Sequence, residues 1–214
     1  MTDHPKVPRR PRRPLEWKSS DIKTVVPGRK LWRVHKTQGR HPSPWDDYRS
    51  YGPIKTMRWD PHPEPAEDHP DCSVLYTGYD LETCISEVFQ KRKRIDTGTA
   101  SPFATSWSPT RPVRLLKLTK GWPLRMGAAH ALNSSPKPTC RNWANAIWAT
   151  AREKGELLDG LEVRSTLTGK KMAVLFHDSQ DALPSVPEYS SPLSGPFVFS
   201  IACEFARVHD WTIV

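Results

Sequence analysis

The sequence predicts an α+β fold, and three observations carry the prediction. Short apolar or alternating runs recur along the chain, two segments show helical periodicity, and 22 of 214 residues are proline. Proline on that scale breaks long helices and favours loops. Many short strands with two good helices fit a mixed sheet with flanking helices better than a doubly wound one.

Taken in order, residues 1–28 interleave Pro5, Pro8, Pro11 and Pro14 with arginines and hold few apolar side chains. They are expected to form a disordered extension to a domain over residues 29–214. Lys30–Lys36 reads as a strand. Residues 37–73 are rich in Pro, His, Asp and Gly and read as mostly loop, and so long a loop tends to be functional. Val74–Tyr79 is a short apolar strand. Asp80 is a good N-cap, Glu82 suits the first turn, and Leu81, Ile85, Val88 and Phe89 recur at helical spacing. On an ideal wheel Glu87 falls off that stripe, on the flank or back. Val113–Leu118 is a further strand. Asn142–Lys154 reads as a helix with Ala144, Ile147, Trp148 and Ala151 on one face and Gly155 as its stop. Leu157–Val163 passes through an Asp159-Gly160 turn into a short strand ending at Arg164-Ser165. Met172–Phe176 is a paired strand, and the alternation of Phe197, Phe199, Ile201 and Cys203 predicts a half-buried strand near the C-terminus.

The net charge is +9, unevenly placed. Residues 1–30 carry nine Lys/Arg against three acids, a net +6, which leaves +3 for the other 184 residues. Nucleic-acid binding would therefore rest mainly on the N-terminal segment. No apolar run is long enough to span a membrane, and the basic, proline-rich start lacks the apolar segment of a signal peptide. Cys72, Cys84, Cys140 and Cys203 are widely spaced and read as free thiols in a reducing cytoplasm.

Several residues stand out chemically. Arg33, in Leu31-Trp32-Arg33-Val34-His35, is either an exposed arginine on a sheet face or an anion clamp, since guanidinium binds phosphate in bidentate fashion. Arg58, between Met57 and Trp59, has the same two readings. Glu87 alone reads as a solvated helix carboxylate. Ser165, at a strand end, reads alone as a turn cap. Gly169-Lys170 lacks the rest of a phosphate-binding P-loop, and no dinucleotide fingerprint follows a strand. His62, His69 and Cys72 do not have the spacing of a zinc framework, and Cys84 falls on the apolar side of its helix.

Order and setting add what the single residues lack. Trp-Arg-Val at 32–34, Met57-Arg58-Trp59-Asp60, a strand ending Leu75-Tyr76 with Glu87 eleven residues on, and Asp159-Gly160-Leu161-Glu162-Val163-Arg164-Ser165 follow one another in the chain. Over roughly residues 30–180 this arrangement resembles the RES domain family, named for its Arg, Glu and Ser. The resemblance implies a fold like that of ADP-ribosyltransferase toxins, with strands clamping NAD+ in a cleft. It implies degradation of NAD+, by hydrolysis or phosphorolysis, to nicotinamide and an ADP-ribose product. It also implies a bacterial toxin paired with a small antitoxin, and dimers or toxin–antitoxin assemblies are common in the family.

Carried over by position, Arg33 and Arg58 match the arginines near the phosphates and reacting ribose. Tyr76 matches the aromatic residue lining the pocket, Glu87 the acid and Ser165 the serine. NAD+ would be substrate rather than cofactor, with inorganic phosphate as an optional co-substrate and no metal. The residue types suit the reaction. Nicotinamide leaves neutral, so the two carboxylates of an ordinary glycosidase are not required. Glu87 would stabilise an oxocarbenium, bind a ribose hydroxyl or orient the acceptor. Residues 60–71 look inserted relative to the family. ADP-ribosyl transfer to a macromolecule and nucleic-acid binding through the basic segment are the alternative functions.

Overall fold

A computed structural model describes residues 7–214 of the chain. Its strands are β1 (Ile22–Val25), β2 (Leu31–Lys36), β3 (Tyr51–Gly52), β4 (Glu67–Asp68), β5 (Val74–Gly78), β6 (Arg94–Ile95), β7 (Pro102–Trp107), β8 (Val113–Lys117), β9 (Gly160–Arg164), β10 (Lys171–Phe176), β11 (Tyr189–Pro192) and β12 (Thr212–Ile213). The helices are α1 (Leu81–Phe89), α2 (Trp122–Arg125), α3 (Lys137–Lys154) and α4 (Pro196–His209). The fold is mixed α+β. Eight strands form one sheet in the order β1-β8-β9-β10-β5-β2-β7-β11, antiparallel except between β8 and β9.

Strand alternation sorts the sheet's side chains onto two faces. On one face Leu116, Leu161, Val163, Val174 and Phe176 pack under Trp143, Ala144 and Ile147 of α3. Further along the same face, Val34 and Ala104 meet Leu81, Cys84 and Ile85 of α1 and Val198, Ala202 and Phe205 of α4. The other face carries Leu31, Leu75, Trp107, Leu115 and Leu175, covered by Trp45, Tyr48, Ala182 and Leu183 from loops. The α-helices thus lie on one side of the sheet, and loops with one short 3-10 helix, His177–Ala182, on the other.

The central elements follow the sequence closely. Asp80 caps α1, its carboxylate accepting from the Thr83 N–H at 2.9 Å. Gly155 ends α3 at φ 61°, a conformation glycine adopts without strain. Gly160 opens β9 at φ 153°, where a Cβ would meet the Val174 carbonyl oxygen at 2.1 Å.

Three expectations are corrected. Residues 7–28 are not a disordered extension; the part of that expectation falling on residues 1–6 lies outside the described residues. Val7 and Leu15 are buried with the α3 core, and Ile22–Val25 adds the edge strand β1 beside β8. The arm's backbone is held by side chains that sequence cannot assign to it. Trp143 Nε1 donates to the Pro8 carbonyl at 2.9 Å, Trp122 Nε1 to Glu16 at 2.8 Å and Lys154 Nζ to Leu15 at 2.9 Å. Phe197–Cys203 is not a strand but part of α4: Val198, Ala202, Phe205 and Ala206 form a buried helical stripe, while the alternating Phe197 and Phe199 are exposed. Finally, α3 begins at Lys137 rather than Asn142, because a proline at its second position is tolerated where the N–H has no helical partner.

A packed arm makes Leu15 part of the core. Leu15→Ala is expected to lower the unfolding free energy by about 2–5 kcal/mol in urea titration. A change within about 0.5 kcal/mol would mean that the arm is free in solution.

Candidate functional site

The sheet has a weak seam. Strands β2 and β7 are in register over six residues and β5 and β10 over five, but β2 and β5 share a single pair, Trp32 with Gly78. Beyond that pair the strands part, and the 37–73 segment enters the space. It is stitched at both ends: the Ser43 N–H donates to Lys36 at 2.8 Å, and Arg49 exchanges two 3.0 Å backbone hydrogen bonds with Val74.

Within this segment Asp60 is fully buried and organises its neighbours. One carboxylate oxygen accepts from the Arg49 guanidinium at 2.6 Å and from the Tyr76 hydroxyl at 2.8 Å. The other accepts from the Ile54 N–H at 2.9 Å. The Tyr76 oxygen accepts in turn from the Trp59 N–H at 3.0 Å. Burial first, and then the Asp60 charge, hold the Tyr76 phenol well above its ordinary pKa. Its hydroxyl is therefore a structural donor to Asp60 rather than an acid near neutral pH.

Arg58 is carried on the same segment. Its guanidinium donates to the Ser135 carbonyl and lies 3.6 Å from Cys140 Sγ, at the start of α3. A polar stripe on α3 grips the segment from that side. Lys137 Nζ donates to the Thr56 carbonyl, Arg141 reaches Lys55 and Met57 at 3.0 Å each, and Asn145 reaches Pro61 at 2.7 Å. Spacing of four residues places these three side chains on one helix face. The loop that carries Arg58 is thus held between a buried carboxylate on the strand side and a helix on the other.

Glu87 and Ser165 are linked through their supporting elements and not by a direct contact. Ser165 ends β9 and is 3% exposed. Its hydroxyl oxygen accepts from the Leu167 and Thr168 N–H groups at 3.1 Å each, the turn-capping geometry expected of a serine there. This turn docks on the first turn of α1: Thr168 lies 3.3 Å from Thr83, and Lys170 pairs with Glu82 at 2.5 Å. Glu87 follows Thr83 by one turn on the same side. It is half-buried, and its carboxylate accepts from Gln90 at 3.1 Å.

Arg33 stands apart from these four. It shares a face of β2 with Leu31 and His35, and its guanidinium donates to the carbonyls of Pro44, Trp45 and Asp47 at 2.9–3.0 Å and to the Ser43 hydroxyl at 2.7 Å. Burial pushes its pKa down to about 10, which still leaves it charged at neutral pH. His35 braces the same turn: its Nδ1 donates to the Ser43 carbonyl at 2.8 Å, and its Nε2 meets the Thr105 hydroxyl at 2.9 Å.

Three of the four thiols are unsuited to nucleophilic attack. Burial raises Cys84 and Cys140, and pushes Cys72 up to about 12. Two surface concavities, of ≈ 360 Å³ beside Trp17 and Arg125 and ≈ 490 Å³ beside Arg111 and Arg152, lie away from the residues described above. The residues that sequence reasoning passed over are Arg49 and Asp60. Asp60 falls inside the Arg-Trp-Asp pattern, but nothing local shows that it is buried.

His62 gives this segment a pH dependence. Burial first, then the Arg49 charge, hold its pKa down to about 4, against an ordinary 6.5, with Asp60 opposing. The folded state binds this proton less readily than the unfolded chain, so stability is lost as pH falls from about 6.5 towards 4. The loss attributable to His62 approaches about 3 kcal/mol below that range. Urea midpoints at pH 7 and pH 4.5 should converge in His62→Gln relative to the unsubstituted chain; an unchanged difference would refute the assignment.

Comparison with known proteins gives the fold a likeness and the chain a family. No curated protein matches the sequence. Among solved structures, a chain of the crystal structure of the M. tuberculosis MbcT-MbcA toxin-antitoxin complex superposes with a TM-score of 0.55. The two are 15% identical, and the match covers 84% of this chain and 92% of that one. The RES domain matches residues 30–199, which contain Arg33, Arg58, Tyr76, Glu87 and Ser165. The chain belongs to the RES domain family.

Proposed function

We propose that this chain cleaves NAD+ at the nicotinamide–ribose bond and acts as a toxin restrained by an antitoxin protein. Family membership supports the chemistry, and the likeness to a chain of a toxin–antitoxin complex supports the biological setting. The observation that supports the reading is the placement of four residues on one side of the sheet. A clamped Arg58, the Tyr76 ring beside it and the Glu87 helix with its docked Ser165 turn all occupy the helix-covered side of one sheet, next to the β2–β5 seam.

The step needs little from the protein beyond charge and orientation. The bond between the ribose anomeric carbon and the pyridinium nitrogen breaks, its electron pair leaves with nicotinamide, and nicotinamide departs neutral. Positive charge develops on the ribose, and Glu87 is assigned to face it. Arg58 supplies positive charge for the pyrophosphate or for an attacking inorganic phosphate, whereas Arg33, on the opposite face with its guanidinium held by the Ser43–Asp47 turn, braces the entering segment instead of meeting the anion. An anion held beside the anomeric carbon replaces a chance encounter with an oriented one. Water as acceptor gives ADP-ribose and a proton; phosphate gives a phosphorylated ADP-ribose. Ser165 is assigned a hydrogen bond to the acceptor, and Tyr76 contributes its ring. Among the described residues no helix is long and apolar enough to cross a membrane. The reading places the protein where NAD+ is abundant, in the cytoplasm.

Purified chain incubated with NAD+, with and without phosphate, is expected to release nicotinamide by mass detection. Acceleration by phosphate identifies a phosphorylase, and indifference to it a glycohydrolase. ADP-ribose found attached to a macromolecule instead would move the reading to transfer. Glu87→Gln is expected to lower turnover by on the order of 100-fold or more with the fold intact. Near-normal turnover would remove Glu87 from the reaction.

A further inference from the structure

Arg49, Asp60 and Tyr76 form a hydrogen-bonded unit around the fully buried Asp60 carboxylate that no substrate role requires of all three. Asp60 accepts three donors from three parts of the chain: the Arg49 side chain, the Ile54 backbone and the Tyr76 hydroxyl. Arg49 is itself bridged to Val74 by two backbone hydrogen bonds. The 49–60 segment is therefore closed at its base by an ion pair and fixed to β5 at two points, Val74 and Tyr76. Arg58 rides on the closed loop, two residues before the carboxylate.

We propose that Asp60 is a positioning residue for NAD+ cleavage: with Arg49 it locks the loop that presents Arg58 and orients the Tyr76 ring towards the substrate. The proposal rests on the NAD+ reading for its activity arm. It also divides the roles of Tyr76. The hydroxyl donates to Asp60 and accepts from the Trp59 N–H, so it faces the loop, and only the ring is left for a ligand.

An aspartate is suited to this position for a geometric reason. All the groups around it are donors, and an ionised carboxylate accepts at both oxygens. Asn at the same place would set an amide donor against either the Ile54 N–H or the Arg49 and Tyr76 pair. A buried charge that loses part of its shell disturbs the segment built on it. The effect should be local, because the α3 stripe still holds residues 55–61 from the other side.

The test uses the full chain with Asp60→Asn and Tyr76→Phe, read in two ways. In NAD+ kinetics, Asp60→Asn is expected to raise KM on the order of tenfold and to lower kcat/KM on the order of 100-fold, because a displaced binding group weakens both capture and orientation. Tyr76→Phe keeps the ring but removes its bonds to Asp60 and to the Trp59 N–H, and is expected to raise KM in the same direction as Asp60→Asn by a smaller factor. In hydrogen exchange followed by mass spectrometry, Asp60→Asn should lose protection in residues 53–60 while α3 and the sheet keep theirs. A lowered Vmax at unchanged KM, with protection lost throughout, would assign Asp60 to general stability and overturn the proposal. Unchanged KM and unchanged protection at 53–60 would overturn it as well. If the unsubstituted chain leaves NAD+ intact, the functional reading fails by itself, and the exchange pattern still decides whether Asp60 orders the Arg58 loop.

Discussion

The meeting of Trp32 with Gly78 is the constraint on which the rest of the molecule depends. It joins the two halves of the eight-stranded sheet by one residue pair, and α1 packs directly against the junction. The Cys84 thiol donates to the Trp32 carbonyl at 3.1 Å, and a Cβ on residue 78 would meet Cys84 Sγ at 2.6 Å. Glycine therefore permits the strand, the helix and the neighbouring strand to approach one another. Because the strands part beyond this point, a long irregular segment can enter the sheet. The helix that carries Glu87, α1, starts immediately after β5.

The entering segment is ordered by polar contacts as well as by burial of Trp59 under α3 and partial burial of Trp45 and Tyr48 on the other face. Asp60 collects donors on the strand side, and Lys137, Arg141 and Asn145 collect carbonyls on the helix side. Such an arrangement satisfies backbone groups that a loop inside a fold would otherwise leave unpaired. It also concentrates the consequences of change: a substitution at Asp60 or Arg141 acts on Arg58 without touching it. The N-terminal arm acts at one further remove, covering Trp143 and bonding to Lys154 on the helix that carries the stripe.

Much of this was legible in the residues. The strand before α1, the Asp80 cap, the Gly155 stop and the Val113–Lys117 and Lys171–Phe176 strands follow from local pattern. So does the order of Arg33, Arg58, Tyr76, Glu87 and Ser165, which led to the family. What escaped depends on distant partners. The arm looked disordered because its anchors are the indole and ammonium groups of Trp122, Trp143 and Lys154, more than a hundred residues away in sequence. The last helix was masked by an alternating run whose exposed members, Phe197 and Phe199, are the larger ones. Arg49 and Asp60 lie in a loop with no period to read. The α3 stripe did have a readable spacing, but Pro136 and Pro138 obscured the start of the helix that reveals it.

The proposed function makes a spatial claim: NAD+ would bind on the helix-covered side of the sheet at the β2–β5 seam. A crystal structure of Glu87→Gln with NAD+ tests it most directly. The account predicts the nicotinamide ribose between residue 87 and the Tyr76 ring, with phosphate oxygens within hydrogen-bond reach of Arg58. Dinucleotide bound instead in the depression beside Arg111 and Arg152, or on the loop-covered face, would contradict it.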